Sequence, residues 1–157
     1  GCRVNAVIMP QPSPGLSVLF GAQRERRGIN ALPLGNASTA ALHCLRRGEI
    51  VAILGDRDFS DRVRPVTFFN QPAHLPRGPA VLAARAGVPL LPGFVLRKPD
   101  DRFQLRFYPP IMPNGSVSPN DLQRRICAIM EDVNTRSAFN MSRSLTGDRF
   151  MSIRFIG

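Results

Sequence analysis

Residues 55 to 92 of the chain read GDRDFSDRVRPVTFFNQPAHLPRGPAVLAARAGVPLLP. The apolar run from Ile50 to Leu54 leads directly into this stretch, so we expect a buried strand to end where the stretch begins. In an open α/β sheet, ligands bind at the carboxyl ends of the strands, where loops and helix starts converge. Asp56, Arg57 and Asp58 occupy that position. The stretch therefore predicts an α/β fold with a site at the end of this strand.

The three charged residues of this turn suit the binding of an anion. A guanidinium can hold a phosphate or a carboxylate through paired hydrogen bonds, and an aspartate can orient a histidine or hold the arginine. Taken alone, the residues from Asp56 to Asp58 are also ordinary for a solvated turn after a strand. They become a candidate site only together with the sequence around them.

The remainder of the stretch predicts a strand, a helix and another strand. Val66 to Phe69 has the β-branched and aromatic content of a strand. Pro79 and Gly87 stand where the first helical residue and the residue just past a helix are favoured, so we expect a short helix between them. Val88 to Pro92 then resumes as a strand. This alternation predicts an α/β fold with a mixed, mostly parallel sheet flanked by helices.

The order of DRD, FFN and LPRGPAVLAARAGVPLLP resembles the bacterial lipid A biosynthesis and phosphatidylinositol mannoside acyltransferases, a branch of the lysophospholipid acyltransferase superfamily. The resemblance implies a lysophospholipid acyltransferase-like fold and makes residues 1–133 a partial acyltransferase domain. Residues 134–157, NTRSAFNMSRSLTGDRFMSIRFIG, are an atypical tail without a counterpart in the family. A shifted reading frame, an unusual terminus, disorder or simple divergence would each account for this tail.

The resemblance also implies roles for particular residues. Asp56 would face the catalytic histidine of the family and support it, while Arg57 and Asp58 are candidates for substrate binding. Family members carry an arginine, a glycine four residues later and then a strand; here that arginine is Arg24, before the predicted strand from Ile29 to Leu34. Arg24 is therefore a candidate contact for a headgroup or phosphate, although a cationic helix end is also favourable by itself.

The family's defining histidine, followed five residues later by an acid, lies upstream of the segment that this chain resembles. His43 is followed at that distance by Gly48, and His74 by Pro79, so neither histidine matches. The resemblance thus implies the C-terminal, substrate-binding fragment of an acyltransferase, with the N-terminal part missing and no activity by itself.

The activity implied is transfer of a fatty acyl group from an acyl-CoA or acyl carrier protein thioester to a hydroxyl group. The acceptor would be a membrane glycolipid or lysolipid of the lipid A precursor or phosphatidylinositol mannoside type. A non-catalytic module that binds anions or lipid headgroups through the same arginines is the alternative.

The charge of the chain favours anionic partners. The formal net charge is +10, and Lys98 is the only lysine, so arginine carries nearly all of the positive charge. An anionic membrane surface and the phosphates of coenzyme A or of a carrier protein suit such a surface. The arginines are dispersed and the chain has no tryptophan, so we expect no nucleic-acid partner. The resemblance places the protein at the cytoplasmic face of the bacterial inner (plasma) membrane, peripheral or anchored through the missing N-terminus.

The remaining sequence gives no sign of a metal or a spanning helix. Cys2, Cys44 and Cys127 lack CxxC spacing and are expected to stay reduced, and His43 and His74 are isolated. We expect no metal site and no cofactor beyond the acyl donor. No apolar run reaches the roughly 18 residues of a spanning helix, so we do not expect this segment to cross a membrane.

Three further patterns define surfaces. Leu16, Leu19, Phe20 and Gln23 share one face of a predicted helix. Residues 103 to 108 alternate apolar and polar, which predicts a strand with one wet face. A capping serine and an apolar stripe from residue 122 to 133 predict an amphipathic helix near the C-terminus.

Overall fold

The computed structural model describes residues 3–8, 13–54, 65–98, 100–113, 117–141 and 152–156. Asp56, Arg57, Asp58 and Cys2 lie outside these residues. In chain order the elements are β1 (Val4–Ile8), α1 (Pro14–Glu25), β2 (Ile29–Pro33), a 3₁₀ turn (Leu34–Asn36), α2 (Ala37–Arg46), β3 (Ile50–Leu54), β4 (Val66–Phe68), β5 (Gln71–Ala73), α3 (Gly78–Ala86), β6 (Leu91–Arg97), β7 (Phe103–Phe107), α4 (Pro119–Met141) and β8 (Ser152–Ile156).

The main sheet has the strand order β2-β1-β3-β8-β6-β7. β1 pairs in parallel with β2 and β3, whereas β8 pairs antiparallel with β3 and β6, and β7 pairs antiparallel with β6. The α/β fold and the mixed sheet are confirmed. Although β1, β2, β3 and β6 share one direction, the antiparallel pairings outnumber the parallel ones, because β8 lies between β3 and β6 and a short connection joins β6 to β7. In its pairings, the sheet is therefore not mostly parallel.

The connections place helices on both sides of the sheet. α1 carries the chain from β1 outward to β2, and α2 carries it back across β1 to β3. Right-handed crossovers in opposite directions lie on opposite faces of a sheet. α2 packs against α3, and α3 packs against α4. We call the side covered by α2, α3 and α4 the helical face, and the side that carries α1 the open face.

The hydrophobic core lies on the helical face. Phe94 of β6 is fully buried, and it packs with Leu90 and with Leu122 of α4 in one cluster. A second cluster joins Val51 of β3 to Leu45 of α2. The predicted apolar stripe of α4 is part of the first cluster, which confirms that helix and its orientation.

The open face carries large apolar side chains without cover. The strand register places Leu54 in one row with Gly93 and Phe107, and Leu105 opposite Val95. Gly93 and Val95 are the neighbours of Phe94 in β6. Because successive side chains of a strand point to opposite faces, Leu54, Leu105 and Phe107 point away from Phe94. Leu54, Phe103, Leu105 and Phe107 are 44, 69, 53 and 48% exposed. The prediction that β7 has one wet face and one covered face is wrong, because all five of its residues are exposed.

Local sequence signals set most element ends. Gly87 ends α3 in the left-handed conformation with φ of 67°, which a residue without a side chain adopts at little cost. Ser118 is the predicted cap of α4 and forms a capping box with Asp121. The N–H of Asp121 donates to Ser118 Oγ, and the N–H of Ser118 donates to Asp121 Oδ2, each at 3.2 Å. The strand expected from Val88 begins later, at Leu91, and Leu90 pairs instead with Ile111.

Candidate functional site

The strand that leads in sequence to Asp56 ends at an edge of the sheet that it shares with two parallel neighbours. β1, β2 and β3 end at the same edge, and α1 and α2 begin there. Leu54 is the last residue of β3, and Asp56 follows two positions later in the sequence. The structure thus fixes the strand that leads to Asp56, Arg57 and Asp58, whereas these three residues lie outside the described part. This carboxyl edge is where an α/β sheet binds its ligands.

The chain that follows the predicted site is anchored on α4. β4 and β5 form a hairpin whose turn residue Phe69 donates its backbone N–H to Glu131 Oε1 at 2.7 Å. Phe68 of the same hairpin packs against the main core cluster. The stretch from residue 55 to 64 therefore connects a strand of the sheet to a hairpin held by the core.

The entry to α3 is held in a similar way. Gln123 Nε2 donates to the carbonyl oxygens of Leu75 and Pro76, at 3.2 and 3.3 Å. The guanidinium of Arg77 donates to Asn120 Oδ1. Because α4 supplies each of these side-chain contacts, it fixes the segment between the β4–β5 hairpin and α3.

Arg24 lies at the opposite edge of the sheet. It belongs to the last turn of α1, which returns the chain to the start of β2, and its Cζ lies 5.9 Å from the centre of the Phe20 ring. Five-residue strands at about 3.3 Å per residue separate the two edges by roughly 16 Å. The structure therefore does not bring Arg24 next to the end of β3, where Asp56 follows.

A cleft of about 320 Å³ lies at this amino edge. Its polar lining comprises Arg3, Asn5, Glu25, Asn30, Arg47 and Glu49. Sequence reasoning missed this cleft because its residues come from four separate segments. The available signal was an asparagine at the second position of two otherwise apolar strands, VNAVI and INALP.

The cleft is organised around Asn5, which is 1% exposed. Asn5 Nδ2 donates to Glu49 Oε2 at 2.9 Å and to the carbonyl oxygen of Ile50 at 3.1 Å, and its Oδ1 accepts from Asn30 Nδ2 at 2.7 Å. Arg47 Nε donates to Glu49 Oε1 at 3.0 Å. The amide of Asn5 is thus satisfied by the protein itself, as a buried structural group should be.

The pKa of Glu49 also indicates that this cluster of polar side chains is structural. The hydrogen bond from Asn5, and then that from Arg47, lower the pKa of Glu49 below its ordinary value. Glu49 is therefore ionised at neutral pH and joins β1 to the start of β3. We regard the carboxyl edge as the candidate reaction site in preference to the amino-edge cleft, because Asn5, Asn30, Arg47 and Glu49 of that cleft bond to one another.

The described thiols and histidines do not form a nucleophile or a metal site. Burial raises the pKa of Cys44 and of Cys127, so both thiols are protonated at neutral pH and are poor nucleophiles. His43 and His74 are exposed. Among the described residues, no group of three or more His, Cys, Asp or Glu side chains is placed to hold a metal ion. Within the same residues, no helix is both long and apolar enough to cross a bilayer.

Fold and site define an α/β protein whose candidate ligand site follows a parallel strand at the carboxyl edge of a mixed sheet. The family model described as "Bacterial lipid A biosynthesis acyltransferase" matches residues 4–137. The chain belongs to this family. The match includes every predicted site residue from Arg24 to Asp58, and it confirms the family that the DRD, FFN and LPRGPAVLAARAGVPLLP segments predicted.

Two curated relatives support the same family. They are the phosphatidylinositol mannoside acyltransferases of Mycobacterium tuberculosis strains CDC 1551 / Oshkosh and ATCC 25618 / H37Rv. Each is 34% identical to the chain over 73 residues, which cover 44% of this chain and 23% of the relative. The match thus covers about a quarter of each relative's length.

Proposed function

We propose that this chain is the substrate-binding part of an acyltransferase that moves a fatty acyl group from a thioester to a lipid hydroxyl. The donor is acyl-CoA or an acylated carrier protein, and the acceptor is a membrane glycolipid or lysolipid of the lipid A precursor or phosphatidylinositol mannoside type. The observation that carries the proposal is the family match over residues 4–137, which includes the charged segment after β3.

The proposed chemistry needs a general base and a group that positions it. The histidine of the family's upstream segment takes the proton from the acceptor hydroxyl, and the oxygen attacks the thioester carbonyl. The carbon–sulfur bond then breaks, and the thiolate leaves and takes up a proton. Asp56 is proposed as the positioning residue, which holds the imidazole in the reactive tautomer and stabilises its cation. No metal or further cofactor takes part.

The arginines bind the charged parts of the substrates in this proposal. Arg57, with Asp58 beside it, lies next to Asp56 in the sequence and contacts the substrate near the reacting carbonyl. Arg24 stands at the other edge of the sheet, so it is proposed to contact a phosphate far from that carbonyl, in the headgroup or in the donor. The net charge of +10 favours an anionic membrane surface, which we place at the cytoplasmic face of the inner membrane.

The test joins the upstream segment of the Mycobacterium tuberculosis relative, which we propose to supply the histidine–acid motif, to residue Val4 of this chain. We expect the fusion to consume acyl-CoA in the presence of a lipid acceptor, and the 157-residue chain to show no turnover. Asp56→Asn should lower kcat by about 10²–10⁴-fold with an unchanged melting temperature. Asp61→Asn, in the same segment of sequence, is the matched control and should keep its activity.

Two results would contradict the proposal. Turnover that survives Asp56→Asn, or that falls only in step with lost stability, removes Asp56 from the site. A folded fusion that binds acyl-CoA but never transfers the acyl group would favour the non-catalytic anion-binding module.

A further inference from the structure

The helix α1 presents its apolar side chains to solvent. Val18, Leu19 and Phe20 are 73, 62 and 37% exposed. Gly21 and Arg24 are its least exposed residues among those whose side chains are described. A surface helix normally turns its apolar stripe toward the core and its charges toward water. Leu19, on the predicted apolar face of α1, lies opposite the side of the helix that carries Gly21 and Arg24, and Phe20 lies at the border between these two sides.

Basic residues lie beside this apolar surface. The sequence from Arg24 to Gly28 is RERRG, and Arg26 and Arg27 are both exposed. Arg24 lies over the Phe20 ring, which joins the charge to the apolar patch. Glu25 is the only acid in α1. Aromatic and aliphatic side chains beside arginines are typical of a helix that lies in the interface of an anionic bilayer.

The exposed strand β7 on the same open face is less suited to such a surface. It is also apolar, but the guanidinium of Arg102 next to it is paired with Asp100, with Nε 2.7 Å from Oδ2. This pairing leaves less positive charge for lipid phosphates. Residues 98–106 carry three positive and two negative charges, whereas residues 24–27 carry three positive and one negative, so charge favours α1 by one unit.

We propose that α1 and the following turn, residues 14–27, form the surface by which the protein lies on an anionic lipid bilayer. Leu19 and Phe20 enter the boundary between headgroups and acyl chains, and Arg26 and Arg27 contact lipid phosphates. The inference deepens the proposed function, because it names the surface that brings the chain to a lipid acceptor, and it is tested by binding alone.

The chain has no tryptophan, so one substitution creates a specific fluorescent reporter. Phe20→Trp in the 157-residue chain should shift its emission to shorter wavelength with vesicles of phosphatidylcholine and phosphatidylglycerol, but not with phosphatidylcholine alone. Added salt should reverse the shift, because exposed charges are screened over about 8 Å at physiological ionic strength. Phe103→Trp on β7 is the matched reporter, and its emission should not shift with either kind of vesicle. Circular dichroism checks that both variants fold.

The charges can be tested separately. The double variant Arg26→Gln/Arg27→Gln should bind phosphatidylglycerol vesicles at least about tenfold more weakly in a sedimentation assay, since each basic residue near the surface contributes to binding. Arg102→Gln removes one positive charge at β7 and should leave binding nearly unchanged.

The proposal is overturned if vesicles shift the emission of Phe103→Trp but not that of Phe20→Trp. It is also overturned if neutral and anionic vesicles shift the emission of Phe20→Trp equally. A shift of Phe20→Trp that grows with protein concentration without vesicles would also overturn it, because a second copy of the chain would then cover α1. The vesicles contain no acyl donor, so a negative result here leaves acyl transfer by the fusion protein to be judged by its turnover.

Discussion

The two faces of one sheet differ in what covers them. On the helical face, Phe94 of β6 is fully buried beneath α4, whereas on the open face Phe103 and Phe107 of the neighbouring strand are 69 and 48% exposed. The residue type is the same and the strands are paired, so the difference comes from the layer of helices over Phe94 and from the position of β7 at the edge of the sheet. The helical face supplies the stability of the described fold, and the open face leaves apolar surface free to bind.

The largest expected effect tests this contrast directly. Phe94→Ala removes a fully buried aromatic ring and should lower the free energy of unfolding by about 3–5 kcal/mol. Phe103→Ala removes the same atoms from a mostly exposed position and should change it by no more than about 0.5 kcal/mol. Urea unfolding followed by circular dichroism measures both. Equal losses for the two variants would mean that the open face is covered in solution.

The next effect concerns the polar group on the helical side of β1. Asn5→Ala leaves the carboxylate of Glu49 and the amide of Asn30 without their buried partner. It should lower the free energy of unfolding by about 1–3 kcal/mol. Asn30→Ala, whose side chain is exposed, is the matched control and should cost less. If the two variants unfold at the same urea concentration, Asn5 does not organise the amino edge.

Much of the fold follows from local signals that agree with tertiary packing. Pro79 and Gly87 bound α3, and Ser118 starts α4, because proline, glycine and a capping serine act through their own backbone geometry. The apolar stripe of α4 was predictable because a helix must bury its one apolar face. These signals need no knowledge of distant parts of the chain.

The open face could not be predicted, because periodicity does not say whether another layer covers a face. Phe103, Leu105 and Phe107 alternate as a half-buried strand should, and Leu19 and Phe20 lie on one helix face, yet all of them are exposed. The amino-edge cleft was missed for a related reason, since Asn5 and Glu49 meet only through the pairing of β1 with β3. The strand β3 was predictable, because an apolar run followed by a charged turn marks where a buried strand ends.

A smaller change in stability is expected from the residues that cap two helices of the helical face, α4 and α2. Ser118→Ala removes the acceptor for the backbone N–H of Asp121 and should cost about 1 kcal/mol, within the range of 0.5–2 kcal/mol for N-caps. Asn36 stands at the N-cap of α2 but makes no side-chain cap bond, so Asn36→Ala should cost much less. Thermal unfolding of both variants measures the difference, and a larger loss at Asn36 would contradict the observed capping.

The last prediction concerns pH and the amino edge. The pKa of Glu49 is lowered by hydrogen bonds from Asn5 and Arg47, so the folded state favours its ionised form more than the unfolded state does. The resulting stabilisation is complete above the unfolded pKa, near 4.5, and is lost as the pH falls through the lower folded value. Glu49→Gln should therefore be less stable than the parent protein at pH 7, and the two should converge in acid. Glu25→Gln, which removes one negative charge from the same cleft, is the control. Urea midpoints measured from pH 7 to pH 3 decide the matter: a difference between Glu49→Gln and the parent that stays constant with pH would show that the carboxylate charge of Glu49 does not hold β1 to β3.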